Sequence, residues 1–210
     1  MPADLIRLVR HGEVHNPAGV LYGRLPEFHL SELGHRMALA AAQSLAGHPL
    51  TRLVASPLLR TQESAAPWSA LYGLPIDTDE RLIEPSNQFE GLNLRRDLPR
   101  KPQHWPLLLN PWRPAWGEAF TSIQARMMAA IADAHSSVES GEVVLVSHQL
   151  PITVVARTVG GLRLAHNPSR RRCTLSSITT LSYDGERFVE VDYQEPAAAL
   201  LANSIDLGAV

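Results

Sequence analysis

The chain has 210 residues, enough for one domain with a well-buried core. Hydrophobic residues make up 45% and charged residues 19% of the sequence, which excludes the low-hydrophobicity, high-charge composition of disordered chains. The formal net charge of -2 excludes the general positive field with which proteins attract nucleic acid or an anionic membrane, so any anion binding must be local.

The N-terminal third of the sequence predicts strands that alternate with helices. The apolar, branched run from Leu5 to Val9 is typical of a buried strand. Ser31 is expected to cap a helix whose apolar residues recur at every fourth position. A second strand is predicted at Leu53 to Ala55. Ser56 and Pro57 are then expected to be the cap and the first position of a second helix.

The middle of the chain mixes regular and irregular signals. Pro67 falls inside the second helix and is expected to kink or split it near Ala66. A third strand is predicted near Ile76 to Asp79. Residues 84–116 contain six prolines and three of the four tryptophans without a sustained period, which predicts an irregular excursion. An apolar stripe then predicts a helix from about Glu118 to Val138.

The last third predicts one more parallel strand and a terminal hairpin. The apolar run Val143 to Val146 predicts a buried strand, after which Pro151 is expected to open a helix. Asp184-Gly185 predicts a hairpin turn between strands at Leu175 to Tyr183 and Phe188 to Tyr193. The alternation of apolar strands and helices predicts one domain, residues 1–210, with a three-layer α/β/α sandwich around a mostly parallel sheet.

Charged side chains and histidines cluster where the predicted strands end. In an α/β sheet, ligands bind beyond the carboxyl ends of the strands. A phosphoryl group carries negative charge on several oxygens, and guanidinium forks and helix N-termini are suited to neutralising it. The residues at these ends therefore suit phosphoryl transfer: Arg10, His11, Arg60, His148 and the nearby carboxylate Glu84.

Four segments of the chain form a pattern that is specific because they occur in a fixed order, whereas one short match alone is weak. The first is Leu8 to Glu13, which Asn16, Tyr22-Gly23 and Leu30 to Gly34 follow. The others are Ser56 to Ala65, Leu82 to Glu84, and Val144 to His148. These segments resemble those of the histidine phosphatase superfamily, also called the phosphoglycerate mutase-like family. The resemblance covers most of the chain and implies that family's fold.

The resemblance implies a role for each residue of the cluster. His11 is the expected nucleophile, which forms a phosphohistidine. Glu84 is expected to give a proton to the leaving group and then to take a proton from the attacking water. The expected reaction is hydrolysis of a small phosphoester without metal or cofactor; a phosphoglycerate-type phosphomutase and a non-catalytic phosphate-binding module stay open as alternatives. Gln149 stands where the family commonly has glycine, so backbone approach to the phosphate is expected to differ there. The expected phosphate- and substrate-binding residues are Arg10, Asn16, Gly23, Arg60, His148 and Gln149.

Each candidate also has a structural alternative. For the two arginines it is ion pairing with Glu13 and Glu63, and for Glu84 it is a place on the surface. For the histidines it is a metal site, but their four-residue spacing suits a metal on a helix, which Gly12 and Pro17 disfavour. The histidines concerned are His11 and His15, with His29 and His35 nearby.

Two further segments are left open between a substrate-binding and a structural role. The inserted segment at about 85–117 is either a cap over the substrate or a cover for the core. The run of arginines at positions 170–172 either meets an acidic partner or substrate or is a solvated face. The cap would use Trp105, Trp112 or Trp116 as an apolar wall and Arg95, Arg96 or Arg100 for a second acidic group; the run consists of Arg170, Arg171 and Arg172.

Localisation and partners follow from what the sequence lacks. The single cysteine, Cys173, cannot form an internal disulfide, which favours a reducing compartment. Met1 to Asp4 leave no room for a signal peptide before the first apolar run, and no run reaches ~18 uninterrupted apolar residues. We expect a soluble, cytoplasmic protein with a small-molecule partner, no nucleic acid or membrane partner, and a homodimer as an open possibility.

Overall fold

The computed structural model describes residues 2–108 and 117–206. Their regular elements follow the predicted alternation of strands and helices. The strands are β1 (Leu5–Arg10), β2 (Leu50–Ala55), β3 (Ile76–Thr78), β4 (Glu142–Ser147), β5 (Ile178–Tyr183) and β6 (Phe188–Gln194). The helices are α1 (Glu32–Ser44), α2 (Leu59–Tyr72), α3 (Leu94–Asp97), α4 (Phe120–Ser136), α5 (Gln149–Val159) and α6 (Ala198–Leu201).

The strands form a six-stranded sheet in the order β3-β2-β4-β1-β5-β6. The first four strands of this order run parallel, and β5 and β6 add an antiparallel edge. The predicted mostly parallel α/β fold is therefore confirmed. Because β2, β4 and β1 are neighbours and run in the same direction, the residues that follow them meet at one edge of the sheet.

Helices cover both faces of the sheet because successive strand residues point to opposite sides. Leu8 and Leu145 belong to the core cluster that packs against α4 and α5. Val9 and Val144, one position away along the same strands, belong to the cluster beneath α1 and α2. Both faces are buried, which explains the continuous apolar runs of the central strands. No helix in the described part of the chain is long and apolar enough to span a membrane.

The start of α2 differs from the prediction. The helix begins at Leu59, and Leu58 occupies the cap position without a side-chain hydrogen bond, so the prediction of Ser56 as the cap is wrong. The Ser56 hydroxyl oxygen lies 2.8 Å from Nε2 of His148 instead. A buried imidazole needs a hydrogen-bond partner. The Ser56 hydroxyl, which the local sequence pattern predicts to be a helix cap, is the partner of the His148 imidazole.

Proline residues disturb the helices less than the sequence suggests. The helix α2 continues through Pro67 without the predicted split, because Ala65 and Trp68 on either side are buried against the sheet. The helix α5 begins at Gln149, not at Pro151, which is its third residue. A proline is tolerated there because the first N–H groups of a helix have no partner within it.

The excursion after Glu84 contains short helical turns. The helix α3 is followed by 3-10 turns at Leu98–Arg100 and Pro102–Leu108. Trp105 is half exposed, and its indole N–H donates to the Leu98 carbonyl at 3.0 Å. Trp112 and Trp116 lie outside the described residues. The candidate cationic residues of this segment, Arg95, Arg96 and Arg100, are exposed, and Arg96 pairs with Asp97.

Candidate active site

The carboxyl ends of the three central parallel strands bring the predicted residues together. Arg10 is the last residue of β1 and His11 follows it, while His148 follows β4. The ring centroids of the two histidines are 5.2 Å apart. Glu84 also reaches this position, with a carboxylate oxygen 3.5 Å from Nδ1 of His148. Arg60 enters from the first turn of α2, and its Nη2 lies 3.3 Å from the same Nδ1 atom.

His11 presents a lone pair on Nε2. Its Nδ1 lies 2.7 Å from the carbonyl oxygen of Gly12, to which an N–H at that position donates. Burial lowers the pKa of His11 well below its usual value, and the positive charges of Arg60 and Arg10 lower it further. The ring is therefore neutral near pH 7, with its second nitrogen free of a proton. A neutral imidazole of this tautomer is a competent nucleophile.

Two glycines hold the loop that orients His11. A Cβ atom on Gly12 would overlap the carbonyl oxygen of Gly34 at the start of α1, and a Cβ on Gly34 would overlap the carbonyl oxygen of Glu13. The backbone of the loop can therefore approach α1 because both side chains are absent. The Gly12 N–H donates to Oγ of Ser64 at 3.1 Å, which fixes the peptide next to the His11 ring.

His148 is held by a donor and an acceptor. Because a guanidinium can only donate, Nδ1 of His148 accepts from Arg60, and its Nε2–H donates to the Ser56 hydroxyl. Burial, followed by the charge of Arg60, lowers the pKa of His148 well below its usual value. This ring is also neutral near pH 7.

Arg60 is oriented by the loop after β1. Its Nη2 donates to the Gly23 carbonyl at 2.7 Å, and its guanidinium carbon lies 4.7 Å from the centre of the Tyr22 ring. Gly23 has a φ of 40°, a conformation that favours glycine. Burial raises the pKa of Tyr22 to about 12, so the ring is an uncharged phenol. Gly23 thus serves the site through its carbonyl.

Arg10 binds a carboxylate that the sequence analysis did not single out. Its Nη1 and Nη2 donate to the two oxygens of Asp206 at 2.8 and 2.6 Å, and Nη1 also donates to the Cys173 carbonyl at 2.7 Å. Such a two-pronged bond is how a guanidinium holds a carboxylate or a phosphate. The predicted alternative partner, Glu13, accepts instead from Ser31 and from the N–H of Ile205.

Glu84 is largely buried beside His148. Its side chain is 14% exposed, and burial raises its pKa above the usual value for a carboxyl group. A raised pKa keeps the proton on the carboxyl group to higher pH, which suits a group that must donate that proton. Glu84 is therefore not on the surface, as its structural alternative would have it.

Asn16 and Gln149 are near the site but bind protein groups. The Asn16 amide donates to the Val20 carbonyl at 2.7 Å and accepts from the Val20 N–H at 3.2 Å, which closes the loop after β1. Gln149 donates to the Cys173 carbonyl at 3.3 Å and accepts from Arg171 at 3.3 Å. His15, His29 and His35 are exposed, and residues 2–108 and 117–206 contain no group of three or more potential ligands that could hold a metal ion.

Buried donors at the site are left without protein acceptors. Among the described residues, Nε of Arg10 and Nε of Arg60 are buried and have no hydrogen-bond partner. Buried polar atoms are nearly always paired, and exceptions concentrate at functional positions.

Comparison with known proteins identifies the family. The family model of the histidine phosphatase superfamily, branch 1, matches residues 6–196. The chain belongs to this superfamily. The chain is 49% identical over 204 residues to the uncharacterized protein Rv0525 of Mycobacterium tuberculosis, covering 94% of this chain and 100% of that one. It is 31% identical over 198 residues to the probable phosphoglycerate mutase GpmB of Yersinia pestis, covering 90% and 85%.

Solved structures carry the same fold. The mycobacterial glucosyl-3-phosphoglycerate phosphatase Rv2419c in complex with VO3 superimposes on this chain with a TM-score of 0.76 at 26% identity, covering 91% of this chain and 98% of that one. The alpha-ribazole phosphatase of Shigella flexneri superimposes with a TM-score of 0.75 at 20% identity, covering 91% and 96%. The second likeness shows the fold alone. The resemblance derived from the sequence motifs is confirmed.

We expect the rings of His11 and His148 to stay neutral when the pH falls from about 8 to about 6, because burial and the adjacent guanidinium groups lower both pKa values. A lowered pKa means that the neutral form persists to lower pH. Ring-nitrogen chemical shifts measured by NMR check this, with His11→Ala and His148→Ala assigning the signals. Protonation of either ring within this interval would contradict the expected neutral state.

Asp206→Asn should strengthen the binding of inorganic phosphate about threefold to tenfold, because it removes a negative charge that holds the Arg10 fork. Isothermal titration calorimetry measures the dissociation constant. Asp192→Asn, which removes an exposed carboxylate from β6, is the matched control and should leave binding unchanged. Equal affinities in wild type and Asp206→Asn would show that this carboxylate does not compete with the anion.

Proposed function

We propose that this histidine phosphatase hydrolyses a small phosphomonoester through a phosphohistidine at Nε2 of His11. The observation that carries the proposal is the orientation of His11, whose Nδ1 is bound to the Gly12 carbonyl so that Nε2 is left for the substrate, with Arg10 and Arg60 buried at the same edge of the sheet. Arg10 and Arg60 supply the positive charge that metal ions supply in other phosphatases, so the reaction proceeds without a metal.

The reaction has two half-reactions that share one acid. First, Nε2 of His11 attacks phosphorus, the phosphorus–oxygen bond to the leaving group breaks, and Glu84 gives its proton to the leaving oxygen. In the second half-reaction the ionised Glu84 takes a proton from water, whose oxygen attacks phosphorus. The phosphorus–nitrogen bond breaks and its electron pair returns to Nε2, which restores the starting enzyme.

The phosphoryl oxygens bind where the Arg10 fork now holds a carboxylate. Asp206 therefore leaves Arg10 when substrate enters. Arg60, held by the Gly23 carbonyl, is the second guanidinium donor to the phosphoryl group, and His148, held by Ser56, packs against the His11 ring. Charge that develops on the oxygens in the transition state meets preoriented donors, which is the main source of rate acceleration in phosphoryl transfer.

Transfer to a second substrate hydroxyl is the alternative reaction, and the 31% identity to a probable phosphoglycerate mutase favours including it. A mutase differs in the acceptor alone, since the phosphohistidine passes its phosphoryl group to an alcohol instead of water. Release of inorganic phosphate in equal amount to the alcohol indicates hydrolysis, whereas an isomeric phosphoester without phosphate release indicates mutase activity.

Trapping the covalent intermediate tests the proposal. A radiolabelled phosphoester is incubated briefly with the enzyme, which is then denatured in alkali. Wild type should retain label that acid removes, as expected of a phosphohistidine, and phosphate release should accompany it. His11→Ala should do neither, while His35→Ala, which removes an exposed histidine of α1, should behave as wild type. Labelling and turnover of His11→Ala at the wild-type level would refute the proposal.

Glu84→Gln should lower kcat/KM about 100-fold for an alkyl phosphate, because the amide keeps the shape of the side chain but cannot donate a proton. The loss should be smaller for an aryl phosphate, whose leaving oxygen needs little protonation. Steady-state kinetics on both substrates measure the difference. Glu139→Gln removes an exposed carboxylate and serves as the control. Equal losses on the two substrates would mean that Glu84 positions a group and transfers no proton.

A further inference from the structure

A cavity lies between α5, β6 and the connection of residues 160–172. Its volume is about 640 Å³, within the range of roughly 300–1,000 Å³ usual for small-molecule pockets. Val159 and Val189 form apolar parts of the wall. Its charged lining residues are Arg157, Arg170, Arg171, Arg172 and Glu190.

One face of α5 leads from the catalytic residues to this cavity. Gln149, Thr153 and Arg157 follow one another at four-residue spacing and therefore lie on one face of the helix. Gln149 comes directly after His148, whereas Thr153 and Arg157 line the cavity. A rise of about 1.5 Å per residue puts Arg157 roughly 12 Å along the helix axis from Gln149. A small extended molecule can span this distance.

Arg171 connects the cavity to the phosphate-binding arginine. Its Nη1 donates to the Gln149 side-chain oxygen at 3.3 Å. The Gln149 amide in turn donates to the Cys173 carbonyl at 3.3 Å, and the same carbonyl accepts from Arg10 at 2.7 Å. The Gln149 side chain and the Cys173 carbonyl therefore link the guanidinium group of Arg171 to that of Arg10. The glutamine that replaces the family's common glycine makes this link.

Arg171 differs from the arginines before and after it. Arg170 is exposed, and Arg172 is more than half exposed and pairs with Glu190. Arg171 points inward, where its Nε donates to Nε2 of His166 at 3.0 Å. Burial lowers the pKa of Arg171 to about 10, so the group still carries its charge at neutral pH. All three arginines line the cavity, but only the central one is largely withdrawn from solvent.

The acceptors in these hydrogen bonds are neutral groups. Nε of Arg157 donates to the Arg163 carbonyl at 2.5 Å. The His166 ring that accepts from Arg171 has a pKa lowered by burial. Four guanidinium groups and one carboxylate line the cavity, so the charged groups of its lining are mostly positive. Because guanidinium forks match the geometry of carboxylates and phosphates, the cavity favours an oxyanion.

We propose that this cavity binds an acidic group of the substrate, with Arg171 and Arg157 as specificity-determining residues. The substrate is then a phosphomonoester that carries a second oxyanion, a carboxylate or another phosphate, on the part of the molecule that lies along α5. The inference rests on the proposed function, because the position of the second anion is defined relative to a phosphoryl group at His11.

Pairs of phosphoesters that differ in one acidic group test the inference. Phosphogluconate and sorbitol phosphate differ in a carboxylate, and fructose bisphosphate and fructose monophosphate differ in a phosphate. The kcat/KM ratio within each pair is measured for wild type, Arg171→Gln and Arg157→Gln. Arg163→Gln removes an exposed charge from the same connection, outside the cavity lining, and is the matched control.

Wild type should prefer the more acidic member of at least one pair, and each cavity variant should reduce that preference about tenfold or more, mainly through KM. Arg163→Gln should keep the wild-type preference. The pair whose kcat/KM ratio changes in the cavity variants shows whether the cavity binds a carboxylate or a phosphate. Equal effects of Arg171→Gln and Arg157→Gln on both members of each pair, or no preference in wild type, would overturn the inference.

Calorimetry on His11→Ala, which cannot form the phosphohistidine, tests the cavity inference separately from the proposed function. It measures the affinity of the variant for both members of each pair. A preference that His11→Ala retains and the double variant His11→Ala/Arg171→Gln loses supports the cavity even if neither member is hydrolysed. Equal affinities within both pairs overturn the cavity inference even if hydrolysis through His11 is demonstrated. Absence of His11-dependent phosphate release, with the binding preference intact, overturns the proposed function alone.

Discussion

The burial of two guanidinium groups at one edge of the sheet is the constraint on which the site depends. Arg10 is 0% and Arg60 1% exposed, and a buried charge must find acceptors that replace water. The Cys173 and Gly23 carbonyls supply them, from connections far apart in the sequence. The two arginines therefore fix the loops around His11 and His148 as well as the place where we propose that the phosphoryl group binds.

Much of the fold could be predicted because its signals are local. The run Val143 to Val146 is apolar on both faces, as a central parallel strand requires, and α4 lies within its predicted bounds because its apolar stripe has the helical period. The positions of Arg10, His11 and His148 also follow from local information. Each residue lies at or directly after the carboxyl end of a buried strand. Neighbouring parallel strands have their carboxyl ends at the same edge of the sheet, so these residues lie close together.

The errors and omissions concern contacts between distant parts of the chain. Ser56 before Pro57 has the pattern of a helix cap, but its hydroxyl meets a histidine 92 residues away. Asp206 reaches Arg10 across 196 residues, and no local feature of the sequence distinguishes it from other carboxylates. The inward position of Arg171 among exposed neighbours likewise depends on Gln149 and His166. The sequence pattern of one segment carries no information about a hydrogen-bond partner in a distant segment, so these contacts could not be predicted from it.

Burial also explains how one site can hold the proposed nucleophile and the proposed acid at the same pH. Removal from water disfavours the charged form of any group, so it lowers the pKa of His11 and His148 but raises that of Glu84. The two arginines push the histidines further in the same direction and partly oppose the shift of the carboxyl group. The opposite shifts leave a neutral imidazole and a carboxyl group with a raised pKa side by side. Phosphoryl transfer from an alkyl ester needs both states at once, because the nucleophile must keep its lone pair while the leaving oxygen receives a proton.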